Sequence, residues 1–158
     1  MRWIELENEA CPVARGLSVI GERWTLLILR DCFLGVRRFD DFQSSLGITR
    51  HLLADRLKTL EEKGLLSREQ YQQRPPRFEY RLTRSGKDLF PVLVSLITWA
   101  ETAVPSPQDA PYRLVSRTTG KPVAPVLCDG ETGVRLNPRD LLMLAPDAAV
   151  PGADTTRD

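Results

Sequence analysis

FDDFQSSLGITRHLLADRLKTLEEKG, residues 39–64, holds two apolar stripes at helical spacing separated by a glycine. In the first, Phe39, Phe42 and Leu46 fall on one side of a short amphipathic helix over 39–46, and Gly47 breaks it. Thr49 then offers an oxygen to the free N–H groups of a second helix, RHLLADRLKTLEEK, which stops at Gly64. Leu53, Leu57 and Leu60 form its core stripe, flanked by Leu52 and Ala54. The opposite face carries His51, Asp55 and Lys58, with Arg50 in the first turn. Two helices joined by a tight glycine-containing turn are the signature of a helix-turn-helix, and such pairs also occur as plain core structure.

On the C-terminal side, LLSREQY (65–71) and FEYRLT (78–83) show partial period-2 alternation and read as strands. Between them lies QQRPPR, with Arg74 and Arg77 flanking two prolines. A generic hairpin turn would favour Asn-Gly or Asp-Gly. Proline cannot donate to a ladder, so this is a stiff extended tip and not a strand centre. Helix, turn, helix, hairpin is the order of a winged helix.

On the N-terminal side, CPVARGLSVIG (11–21) opens on proline and closes on glycine, as a helix does. RWTLLILRDCFL (23–34) reads as a buried apolar helix with Trp24, Leu27, Ile28 and Cys32 on one face. Beyond the hairpin, RSGKDLFPVLVSLITWAETA (84–103) reads as one long helix, with Pro91 placed to kink it or to end a first turn. Leu89, Val92 or Leu93, Leu96 and Trp99 or Ala100 make one apolar stripe, and Phe90, Val94 and Ile97 a second. A helix with two apolar sides fits a dimer interface or a face covered by the C-terminal segment. Pro105 and Pro107 mark a linker. Residues 112–128 read as two short strands around a TTGKP turn, and PRDLLML (138–144) as a short helix or strand. No internal repeat is evident at this level.

The expected architecture is therefore α+β. A winged helix-turn-helix domain over 1–104 contributes N- and C-terminal dimerisation helices. A small β-rich appendage spans 105–144, and 145–158, poor in bulky apolar residues, is expected to be disordered.

Composition narrows the function. The chain has 158 residues and a net charge of +1, yet residues 37–87 hold twelve Lys/Arg against seven Asp/Glu. A basic block inside a neutral chain is what a polyanion-binding face leaves, although a solvated surface can also produce it. Three scattered cysteines and a single histidine, His51, give no disulfide framework, zinc set or catalytic triad to work with. The expectation is a non-enzyme without metal or cofactor. The acidic N-terminus and the absence of a long apolar run imply a cytoplasmic protein with no membrane partner.

The segments CPVARGLSVIGERWTLLILR, GVRRFDDFQSSLGIT, LLADRLKTLEEKGLLSR and PPRFEYRLTRSGKDL, in that order, closely resemble the HxlR-type winged-helix transcriptional regulators of bacteria. The match covers about residues 11–102. It implies a homodimer on a double-stranded DNA operator, more often a repressor than an activator, and leaves any small-molecule effector unnamed. Longer members carry a cysteine-rich, ribbon-like extension. The matching stretch here keeps only Cys128, so no metal site is carried over.

On this reading the helix from 49 enters the major groove. Thr49, Arg50 and His51 are placed to reach base edges or phosphates, with Lys58 further along. Asp55 is expected to hold Arg50 or Lys58 by intrahelical pairing. Arg37 and Arg38 are candidate phosphate clamps, one of which could pair with Asp40 or Asp41. Arg74 and Arg77 are placed at the minor groove or its rim, where Gln72 and Gln73 can add hydrogen bonds. Cys11 precedes a helix N-terminus, where thiolate is favoured. Some relatives use the matching cysteine as an oxidant or electrophile sensor, and a small residue packed at the dimer seam is the alternative. Cys32 is expected to be inert. Two other classes stay open on sequence alone: an interaction module on a winged-helix scaffold without DNA binding, and a thiol enzyme built on Cys11.

Overall fold

The computed structural model describes residues 3–145; the tail expected to be disordered from 145 lies, apart from its first residue, outside them. The chain divides into two compact units, one ending at Pro105 and the other starting at Ser106. The first begins with a 3-10 helix over Trp3–Asn8, which sequence periodicity does not announce. It continues through α1 (Pro12–Ile20), α2 (Arg23–Phe33), α3 (Phe39–Leu46) and α4 (Arg50–Glu62). An antiparallel hairpin of β1 (Leu66–Gln72) and β2 (Arg77–Leu82) follows, then α5 (Arg84–Lys87) and α6 (Phe90–Ala103).

The core is built around the helix pair. Phe42 of α3 and Leu53, Leu57 and Leu60 of α4 are buried against Ile28 and Leu29 of α2, with Ile48, Leu65, Leu66 and Leu93 completing the cluster. Burying each such leucine stabilises by about 1.5–3 kcal/mol. Gly47 has φ +63°, a left-handed conformation that lets the chain reverse between α3 and α4. Thr49 then caps α4 by accepting from the Leu52 N–H at 3.3 Å. The turn thus has the chemistry read from the sequence.

The buried side of α2 differs from the expected one. Thr25, Ile28, Leu29 and Asp31 are buried, whereas Leu27 is exposed and Trp24 and Cys32 are half-buried. Asp31 is tolerated inside because its Oδ1 accepts from Arg30 Nε and Nη2 at 2.9 and 2.7 Å. The single helix expected over 84–103 is two helices. Asp88 caps the end of α5 and Leu89 the start of α6, so Pro91 falls in the first turn of α6, where its missing N–H costs nothing. Only Leu93 of α6 is buried; Phe90, Val92, Leu96 and Trp99 are exposed, as are Val13 and Leu17 of α1.

The second unit does not contain the two strands expected over 112–128. It contains two tight turns, each closed by one isolated antiparallel bridge, Val115 with Pro122 and Cys128 with Arg135. The turns repeat each other at a spacing of 13 residues. Ser116 N–H donates to Lys121 O and Gly120 N–H to Ser116 O; Asp129 N–H donates to Val134 O and Gly133 N–H to Asp129 O. Both turns end on a left-handed glycine, Gly120 (φ +67°) and Gly133 (φ +69°). In each, the first side chain accepts from the N–H three residues on: Ser116 Oγ from Thr119 at 3.2 Å, Asp129 Oδ1 from Thr132 at 2.7 Å. This internal repeat escapes a reading by composition because the position that starts each turn changes from Ser to Asp. Residues 138–140 form a 3-10 turn, and Leu141 after it is extended.

Candidate nucleic-acid interface

Arginine density alone does not make a binding face; convergence does. A segment before α3 bridges to the wing, with Arg38 paired to Glu79 and the Tyr80 N–H donating to Arg37 O at 2.8 Å. This third, minimal strand sends adjacent residues to opposite sides. Arg38 joins a groove of about 430 Å³ between the start of α3, the start of α4 and the hairpin. Arg37 instead lines a separate concavity with Ser67, Glu69 and Arg81 on the other side. The expected pair of clamps is therefore split.

Four arginines line the groove: Arg38, Arg50, Arg68 and Arg77. Three are held over aromatic rings. Arg38 lies 4.9 Å from the Tyr71 centroid, Arg50 4.8 Å from Phe39, and Arg68 3.7 Å from Phe78. Such stacking orients a guanidinium while leaving its in-plane donors available. Arg68 was not expected in the site. Its signal was the hairpin register: Arg68 pairs with Tyr80 and Gln70 with Phe78, so Arg68 shares a face with both aromatics.

Arg50 has further partners, and they are not the expected ones. Its Nη1 donates to Asp40 Oδ1 at 2.9 Å and to Gln43 Oε1 at 3.2 Å. Asp55 holds neither Arg50 nor Lys58: it pairs with Arg56 at 3.5 Å, and Lys58 pairs with Glu62 at 3.6 Å. The inter-helix turn brings Asp40 and Gln43 to Arg50, a closeness that spacing along α4 does not reveal. Asp40 thus pairs with Arg50, and not with Arg37 or Arg38.

His51 and Lys58 are exposed on α4, outside the groove lining, and Thr49 spends its hydroxyl oxygen on the helix cap. Gln73 and Arg74 are exposed in the four-residue turn between the strands. Gln72 braces that turn, donating to Arg74 O and Pro75 O at 3.1 and 3.2 Å. Cys11 is exposed at the start of α1 on extended backbone. Cys32 is half-buried, and burial, with Asp31 beside it, pushes its thiol up to about 12, so it carries almost no thiolate near neutrality. Among the described residues no group of three or more His, Cys, Asp or Glu could hold a metal ion, and no helix is long and apolar enough to cross a membrane.

Helix-turn-helix, wing and an arginine-lined groove between them define a winged-helix DNA-binding protein. The chain belongs to the HxlR-like helix-turn-helix family of transcriptional regulators, whose model matches residues 19–108. It is 43% identical over 133 residues to the uncharacterized HTH-type transcriptional regulator Rv3095 of Mycobacterium tuberculosis, covering 84% of each chain. It is 38% identical over 94 residues to YdeP of Bacillus subtilis, an uncharacterized HTH-type transcriptional regulator, covering 59% of this chain and 73% of that one. Among solved structures, PA1607 matches with a TM-score of 0.79 at 39% identity, covering 89% of this chain and 98% of that one. The redox regulator HypR in its reduced form matches with a TM-score of 0.55 at 36% identity, covering 58% of this chain and 91% of that one.

Proposed function

We propose that the protein is a homodimeric repressor that binds a palindromic operator through α4 and the β1–β2 wing. The observation that carries this reading is the convergence of Arg38, Arg50, Arg68 and Arg77 on one groove beside the recognition helix. In this reading residues 1–104 are the DNA-binding and dimerisation domain and 105–144 a separate appendage, and the protein works in the cytoplasm, where its operator is. Arg38, Arg68 and Arg77 grip phosphates, Arg50 and His51 reach base edges at the N-terminal end of α4, and Thr49 fixes that end. Arg74 and Gln73 at the tip meet the minor groove or its rim, Lys58 lies on the outer face of α4 toward phosphate, and Arg37 contributes from the far side of the bridge. The exposed apolar residues of α6 and α1 are what a second copy would cover. A two-fold dimer places its two recognition helices about 34 Å apart, one turn of DNA.

Cys11 is the proposed point of redox or electrophile control. Two observations support it: the thiol is exposed at the start of α1, and a redox regulator is among the similar structures. The test is a gel-shift and anisotropy titration on the DNA upstream of the protein's own gene. Arg50→Glu with Arg77→Glu is expected to abolish binding, and peroxide is expected to weaken wild-type binding but not that of Cys11→Ser. Unchanged affinity in the charge-reversed variant sinks the assignment of the DNA face.

A further inference from the structure

We propose that Asp40 is a specificity-determining residue: it neutralises and orients Arg50 so that this arginine favours its matched base over phosphate in general. The proposal rests on the DNA-binding reading above. Arg50 Nη1 carries two hydrogens, and two acceptors take them, Asp40 Oδ1 at 2.9 Å and Gln43 Oε1 at 3.2 Å. Phe39 supports the guanidinium plane from 4.8 Å. Three donors are left, Nε–H and the two of Nη2, and Nε–H with the Nη2–H beside it forms one fork matched to the O6 and N7 acceptors of guanine. An untethered arginine could turn any of its edges to any phosphate.

Charge adds to geometry. The side chains of Arg50 and Asp40 are 69% and 81% exposed, so the pair faces solvent and whatever enters the groove. A phosphate arriving there meets a pair of net charge zero, with a carboxylate that repels it. A guanine edge meets an oriented fork and no charge penalty. Asp40 thereby lowers affinity for arbitrary duplex more than for the matched one. Its position in the first turn of α3 also suits the helix dipole, so a purely structural role is the alternative to be separated.

The full-length protein is first used to select a duplex from a randomised pool. Anisotropy titrations then compare that duplex with a scrambled one of equal length and composition, at several salt concentrations, for wild type, Asp40→Ala, Arg50→Ala and the double variant. Asp40→Ala is expected to tighten binding to the scrambled duplex, steepen its salt slope by about one, and cut the selected-to-scrambled ratio roughly tenfold. In the Arg50→Ala background the same change is expected to alter the ratio less than about twofold. Asp40→Asn, which keeps an oxygen acceptor but no charge, is expected to fall between wild type and Asp40→Ala. Equal factors on both duplexes, or the same effect without Arg50, overturn the proposal and leave Asp40 a helix-end residue. Enrichment of no duplex overturns the DNA-binding reading itself, and this proposal with it.

Discussion

The β1–β2 hairpin has two faces with one backbone and opposite electrostatics. On the groove face Arg68 lies over Phe78, next to Tyr80, and among the described residues no carboxylate stands within ion-pair distance of it. On the other face Arg81 is held by Glu69 at 2.9 Å and by Glu79 at 2.5 Å. The Glu79 hydrogen bond is the main reason the Arg81 guanidinium holds its proton still more tightly than usual. Positive charge is available on the first face and spent on the second. A count of basic residues between 37 and 87 treats the two arginines as equal; the register separates them. Stacking on an aromatic ring orients a cation without neutralising it, whereas a carboxylate partner does both.

The sharpest way to break this comparison is to reverse charge on the groove face. Arg38→Glu with Arg68→Glu is expected to weaken duplex binding at least about 100-fold near 0.1 M salt and to lower the salt slope by about two. Circular dichroism should show an unchanged fold, since both side chains are exposed. A loss smaller than about threefold would mean that the groove is not where phosphate sits.

The matching change on the other face is expected to do much less to DNA. Arg81→Gln should leave duplex affinity within about threefold of wild type, because the charge removed is already neutralised. The effect should appear in folding instead. Glu69 and Glu79 are directly opposite across the hairpin, and without Arg81 they repel. Melting curves should show a lower Tm that recovers partly at high salt, which screens the repulsion. An affinity loss as large as that of the groove variant would refute the division between the faces.

What the sequence made legible was local. Gly47, Thr49 and Gly64 punctuate the helix pair, and leucines at helical spacing mark its core; each signal acts within a turn or two of itself. The proline-containing tip likewise announced the wing. The groove was not legible because its members converge from α3, α4 and the hairpin. Arg50 pairs across the turn with Asp40, ten residues away, and not with Asp55 on its own helix. Arg37 and Arg38 looked equivalent, but a single bridge to Glu79 sends them to opposite sides. Arg68 was readable in principle, since period-2 alternation aligns it with Phe78 and Tyr80 once the register is known. The break between α5 and α6 was present as one of two readings of Pro91, which falls in the first turn of α6. The repeated turns of the second unit share their Thr-Gly ends but not their first residue.

That last difference permits the gentlest test of the distinction between spent and available charge. Asp129 and Ser116 occupy the same position of the same turn, one charged and one neutral. Asp129 Oδ1 accepts from the Thr132 N–H at 2.7 Å, the Thr132 hydroxyl at 2.8 Å and the Glu131 N–H at 3.1 Å. These bonds, the Thr132 amide first, hold its carboxyl below the usual range. A depressed folded-state pKa means stabilisation that is complete above the unfolded value of about 3.9 and is lost as pH falls through the lower folded value. An NMR titration should therefore move the Thr132 amide with a midpoint below that of an ordinary aspartate, while the Thr119 amide, bonded to the neutral Ser116 hydroxyl, stays in place. Asp129→Ser should make the second turn behave like the first and remove the titration. A Thr132 midpoint at the ordinary aspartate value would show that this charge, unlike that of Arg81, is not engaged by its turn.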